Sequence, residues 1–134
     1  MSNFANPHRA LLRCASVIIC ASVILFGIPA SASDDAAAHA IRLAYDTAIK
    51  CFVAGGLASD NRHDAGDETG ASAYRAKARQ SFNVAYTAGA KLGMTDRQVA
   101  RDLDFAQDTE LTRMLRDKSY FTSTAATCKA VGLM

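Results

Sequence analysis

Residues 40–53 read Ala-Ile-Arg-Leu-Ala-Tyr-Asp-Thr-Ala-Ile-Lys-Cys-Phe-Val, and this run decides the fold. Ile41, Tyr45, Ala48 and Phe52 recur at steps of four, three and four, the spacing that stacks side chains on one side of an α-helix. Ala44, Ile49 and Val53 widen the apolar stripe, while Arg42, Asp46 and Lys50 form a charged ladder at i, i+4 and i+8. A helix with one greasy side must bury it against other elements. The rest of the chain offers more helices of the same kind.

Upstream, Ser33 or Asp34 can cap this helix, and the acidic pair Asp34-Asp35 suits the positive end of its dipole. The expected first helix runs from about Asp35 to Leu57, with Gly55-Gly56 ending or fraying it. Residues 59–70 are polar and rich in turn formers, and read as a loop. A second helix is expected from about Ala71 to Leu92. Its stripe is Tyr74, Ala78, Phe82, Ala85, Gly89 and Leu92, small enough in places for a close helix neighbour, and Gly93 closes it. Thr95-Asp96-Arg97-Gln98 has the form of a capping box and opens a third helix to about Arg116. After a connector at 117–119, a fourth helix runs to about Val131, with Phe121, Ala125 and Cys128 on one side. β-branched alternation is almost absent and no proline follows Pro29, so nothing forbids long helices. The expected fold is all-α, a compact antiparallel bundle or array of about four helices.

The first thirty-two residues read differently. Arg9 and Arg13 precede an uncharged apolar run from Cys14 to Ile28, Pro29 breaks it, and Ala30-Ser31-Ala32 has the form of a cleavage site. The run is about fifteen residues long, short of the roughly twenty a membrane-spanning helix needs. Residues 1–32 are therefore expected to be a signal peptide, and 33–134 a single helical domain that is periplasmic or otherwise secreted, with no stable membrane insertion once the leader is removed. Of 15 Lys and Arg against 13 Asp and Glu, Arg9 and Arg13 lie in the leader, so the remainder is balanced in charge. No basic stripe with interleaved aromatics is present, which excludes the usual footprint of a nucleic-acid binder.

Four cysteines are present, and Cys14 and Cys20 leave with the leader. Cys51 and Cys128 then admit one intramolecular pairing, and both fall on or beside apolar stripes. An oxidising compartment favours a Cys51–Cys128 disulfide, worth roughly 4–5 kcal/mol by loop entropy. Two buried thiols and a bridge between chains are the competing readings. No C-x-x-C spacing suggests a redox pair.

Catalytic constellations are few. Asp60, His63, Asp64, Asp67 and Glu68 gather five side chains capable of metal ligation within the expected loop, but Arg62 and Ala65 break the EF-hand pattern and no Cys/His zinc spacing occurs. No metal and no cofactor are expected. Asp104 and Asp108 share a helix face at i, i+4 and read as a solvated acidic surface. C-x-x-C-H, a glycine-rich phosphate loop and G-x-S-x-G are all absent. His39 and His63 sit at edge or loop positions rather than on a core face.

In general plan the chain resembles small exported helical proteins held by one disulfide, such as acid-stress chaperones and immunity proteins against periplasmic toxins. That likeness carries no functional residue. The expected function is non-catalytic, acting through contact with a protein partner in the cell envelope as an inhibitor, immunity factor, chaperone or adaptor. The contact surface is expected at Asp60, His63, Asp64, Asp67 and Glu68 together with Asp104 and Asp108. The alternative is a carrier of a small ligand or metal, using the 59–70 segment or a cavity between helices.

Overall fold

A computed structural model describes residues 30–134. Residues 1–29, and with them nearly all of the expected leader, lie outside the described residues. Four helices follow in order: α1 Ala30–Asp64, α2 Glu68–Lys91, α3 Asp96–Arg116 and α4 Lys118–Ala130. No strand occurs among the described residues.

The helices run up, down, up and down. α1 and α2 form an antiparallel hairpin in which Phe52 lies near Phe82 (ring centroids 6.0 Å apart) and Ser59 Oγ donates to the Ala71 carbonyl at 3.0 Å. α3 runs alongside α1 in the same direction. Its early residue Asp102 accepts from Tyr45 Oη, and its later residues Gln107 and Leu111 face Gly56 and Leu57. α4 returns antiparallel, carrying Tyr120 to Glu110 of α3 and Cys128 to Cys51 of α1. α1 is thus the central element and packs against all three others. One core cluster includes Tyr45, Ile49 and Val53 of α1, Ala85 of α2, Val99 and Leu103 of α3, and Cys128 of α4.

The expected disulfide forms between Cys51 and Cys128, which are buried with Cα atoms 5.5 Å apart. Both cysteines come from amphipathic stripes that face one core, so the folding of the helices brings the sulfurs together.

Several boundaries differ from the sequence expectation. α1 already begins at Ala30 rather than near Asp35, so Ser33 and Asp34 lie within the helix instead of capping it. Gly55-Gly56 does not end α1, and residues 59–64 are helical rather than looped. The cause is a close helix crossing. A Cβ on Gly55 would stand 3.2 Å from the Ala78 Cβ, so glycine opposite alanine lets the two backbones approach. Isolated propensity would lose about 1 kcal/mol per glycine here. Tertiary packing offsets it, because Ala58 and Ser59 beyond the pair are buried, and the Ser59 hydroxyl is satisfied by α2. The loop shrinks to residues 65–67, with Gly66 at φ +77° turning the chain. Asp67 then caps α2 by accepting from the Gly70 N–H at 2.8 Å, so α2 starts three residues earlier than expected.

Elsewhere the local signals act as anticipated. Thr95 accepts from the Gln98 N–H and Gln98 accepts from the Thr95 N–H, closing the capping box. Gly93 adopts φ +73° after α2. The expected connector contracts to Asp117, whose carboxylate accepts from the Ser119 and Tyr120 N–H groups and caps α4. Phe82 departs from the expected stripe. It lies at the edge of the α1–α2 seam, 37% exposed, while Ala78, Ser81, Ala85, Ala88 and Gly89 fill the seam itself. After α4, the carboxyl-terminal segment folds back onto α2: Leu133 is buried and Lys77 Nζ donates to the Gly132 carbonyl at 2.9 Å.

Candidate functional site

The residues singled out from sequence fall into two groups. The first lies at the α1–α2 turn. Asp60, His63 and Asp64 occupy the exposed last turns of α1. Arg62 pairs with Asp67 at 3.3 Å, and His63 Nδ1 pairs with Glu68. Asp67 is also the cap of α2. His63, Asp67 and Glu68 are therefore occupied in stitching the two helices together, and Asp60 and Asp64 are the carboxylates left facing solvent. Because residues 59–64 are helical, the segment does not wrap round on itself as a ligand loop would. Among the described residues no group of three or more His, Cys, Asp or Glu side chains converges as a metal site.

The second group lies on α3. Asp104 and Asp108 are exposed one helical turn apart, and neither has an ion-pair partner among the described residues. Between them in sequence stands Phe105, 69% exposed, a large apolar side chain with no place in the core. The α1–α2 turn also borders α3, since Asp60 lines an 80 Å³ void together with Gln107 and Leu111.

Phe105 forms one lip of a cleft of about 300 Å³ between α1 and α3. Arg42, Asp46 and Lys50 of the charged ladder line its α1 wall, and Thr109 and Glu110 line the α3 wall. At its base Tyr45 Oη donates to Asp102 Oδ2 at 2.7 Å, with the Arg42 guanidinium 5.7 Å from the tyrosine ring centroid. Burial, then the hydrogen bond to the Asp102 carboxylate, pushes the Tyr45 phenol well above its ordinary value. The group is thus held protonated and serves as a fixed donor rather than a base. Tyr120 is arranged similarly at the far end of α3. Burial and its 2.6 Å hydrogen bond to Glu110 raise its phenol, while Arg113 stacks on its ring at 3.8 Å.

The cleft offers charges of both signs, one exposed aromatic and fixed tyrosine–carboxylate pairs. It holds no histidine or cysteine beside a base. His39 and His63 lie on the same helix, about 36 Å apart at 1.5 Å per residue. Phe105 and the Tyr45–Asp102 pair are absent from the sequence-based site. Asp102 directly precedes the core residue Leu103 and borders the α3 stripe, a position that hints at a partner without naming it.

No family model, curated protein or solved structure matches the chain.

Proposed function

We propose that the protein is an exported, non-catalytic binding protein that uses the outer face of α3 to hold a basic partner segment carrying an apolar side chain. The observation that supports this reading most is Phe105 exposed at the lip of the α1–α3 cleft, flanked by the carboxylates of Asp104 and Asp108, which have no ion-pair partner among the described residues. A central aromatic anchor ringed by charge is the usual energetic pattern of a protein interface. Acidic rim groups favour a basic partner and speed its approach. Asp60 extends the acidic surface toward the α1–α2 turn.

Export is supported by the leader-like residues 1–32 and by the Cys51–Cys128 disulfide, a bond at home in oxidising compartments. No helix among the described residues is long and apolar enough to cross a membrane. A non-catalytic role is supported by the wide separation of His39 and His63 and by tyrosines held as donors.

Immobilised wild-type protein, Phe105→Ala, the pair Asp104→Asn/Asp108→Asn and the pair Asp60→Asn/Asp64→Asn are compared on a host envelope extract. A partner retained by wild type should be lost with Phe105→Ala and weakened, in a salt-dependent way, by the α3 pair. A partner retained equally by all four proteins would refute the assignment to α3, and one lost only with the Asp60/Asp64 pair would move the contact to the turn. Turnover of a substrate by the purified protein would refute the non-catalytic reading.

A further inference from the structure

The amino-terminal part of α1 extends past its own bundle. Gly89 near the end of α2 packs against Tyr45, and Lys91 lies beside Ile41, so α2 runs out where α1 still has several turns to go. Every residue from Asp34 to Ala40 is exposed. A few alanine-rich turns without tertiary contacts are marginal in water.

These turns nevertheless carry an organised stripe. Ala36, Ala40, Leu43, Ala44 and Thr47 fall at i, i+4, i+7, i+8 and i+11 on one side of α1. The stripe runs directly into an apolar groove of about 490 Å³, floored by Ala44 and Val84 and walled by Leu43, Val131 and Leu133. Leu43 is 61% exposed and Val131 54% exposed, two aliphatic side chains that the bundle does not cover. A neighbouring depression of about 330 Å³, lined by Ile41, Val84 and Lys91, prolongs the groove along the α1–α2 seam.

We propose that a second copy of this chain fills the groove, with the two α1 helices packed antiparallel about a two-fold axis and each projecting end lying along the Leu43–Val84–Val131 groove of the other copy. The surface is self-complementary: one chain supplies both an unpartnered apolar helix end and, adjacent to it, an apolar groove of the size a helix face fills. A two-fold operation satisfies both at once. Alanines on the stripe allow the two backbones to approach closely. Charge agrees with this occupant. The projecting end bears Asp34 and Asp35, whereas Lys91 lines the depression that prolongs the receiving groove along the α1–α2 seam. The α3 face remains free, so pairing of two copies and capture of a partner are separate properties.

The full chain, expressed with its own amino-terminal segment and purified in the form the cell exports, is measured by sedimentation velocity and by size exclusion with light scattering across the micromolar range. A two-chain mass that dissociates on dilution is expected. Leu43→Glu and Val131→Glu should each weaken dimerisation by about tenfold or more, since each change places two charges in one symmetric interface. Both residues are exposed in the single chain, so far-UV circular dichroism should be unchanged, which separates loss of pairing from loss of fold. Leu43→Cys should cross-link between copies with a short bis-maleimide. A single-chain mass at every concentration would overturn the proposal. So would a dimer insensitive to both glutamates, or a single chain whose native mass includes a small apolar ligand that Leu43→Glu removes.

Discussion

The same substitution, glycine to alanine, should stabilise this protein at one position and destabilise it at another. Gly56 and Gly89 both lie inside helices. Alanine at either gains about 0.8–1 kcal/mol of helix propensity and restricts the unfolded chain equally. The surroundings differ. A Cβ on Gly56 would meet nothing within 4 Å. It would sit beside the 80 Å³ void between α1 and α3, which leaves room for the methyl group without a clash. A Cβ on Gly89 would stand 2.5 Å from Val99 Cγ2 and 3.3 Å from Tyr45 Cε2. Neither neighbour can give way easily. Val99 is β-branched and 1% exposed, and Tyr45 is held by its bond to Asp102. Overpacking of this kind costs about 1–3 kcal/mol, which outweighs the propensity gain. Gly56→Ala should therefore add about 1 kcal/mol and Gly89→Ala remove about 1–2 kcal/mol, separating the two Tm values by about 10 °C. Urea unfolding followed by circular dichroism, with the slope unchanged between variants, measures both. If Gly89→Ala proves as stable as Gly56→Ala, the close approach of α1, α2 and α3 around Tyr45 is wrong.

Three further outcomes follow from the same structure. Replacing Cys51 and Cys128 together by alanine should lower stability by about 4–5 kcal/mol, because the bond closes a loop of sequence separation 77; a urea midpoint close to wild type would contradict a constrained unfolded state. Tyr45→Phe should flatten alkaline unfolding. The folded phenol is raised above its ordinary value of 10.0, so its contribution is complete below that pH and is lost as pH rises beyond it, and the variant should lack that loss in a stability–pH profile. Asp117 behaves in the opposite sense. The Ser119 hydroxyl and the Tyr120 and Ser119 N–H groups hold its carboxyl below the ordinary carboxylate value, so its contribution is present above that value and lost as pH falls through the folded one. The stability gap between wild type and Asp117→Ala should accordingly close in acid.

The number and type of helices were legible because each element carries its apolar side chains at helical spacing, and because Thr95 and Gln98 form a local device that works without knowledge of the rest. The Cys51–Cys128 bond was legible for a related reason: with the leader cysteines set aside, one pairing remained and both partners lay on core-facing stripes. What escaped the sequence depends on neighbours far along the chain. Gly55-Gly56 reads as a helix end until Ala78 is placed against it, and Ser59 reads as a loop residue until the Ala71 carbonyl accepts its hydroxyl. Phe105 falls outside the helical spacing of Val99, Leu103 and Ala106, so its place off the core face is legible. The cleft that it borders is not, because that depends on where α3 meets Arg42, Tyr45 and Asp46 of α1. The fold-back of Leu133 onto α2 has no periodic signal at all.

The disulfide joins the first helix to the last, so α2, α3 and the exposed turn at Gly66 all lie within one covalent ring. A protease that nicks that turn would leave a two-piece molecule that still migrates as one species until a reductant opens it. Cleavage in the ring thereby becomes invisible without thiols, and the bundle can outlast the integrity of its own backbone.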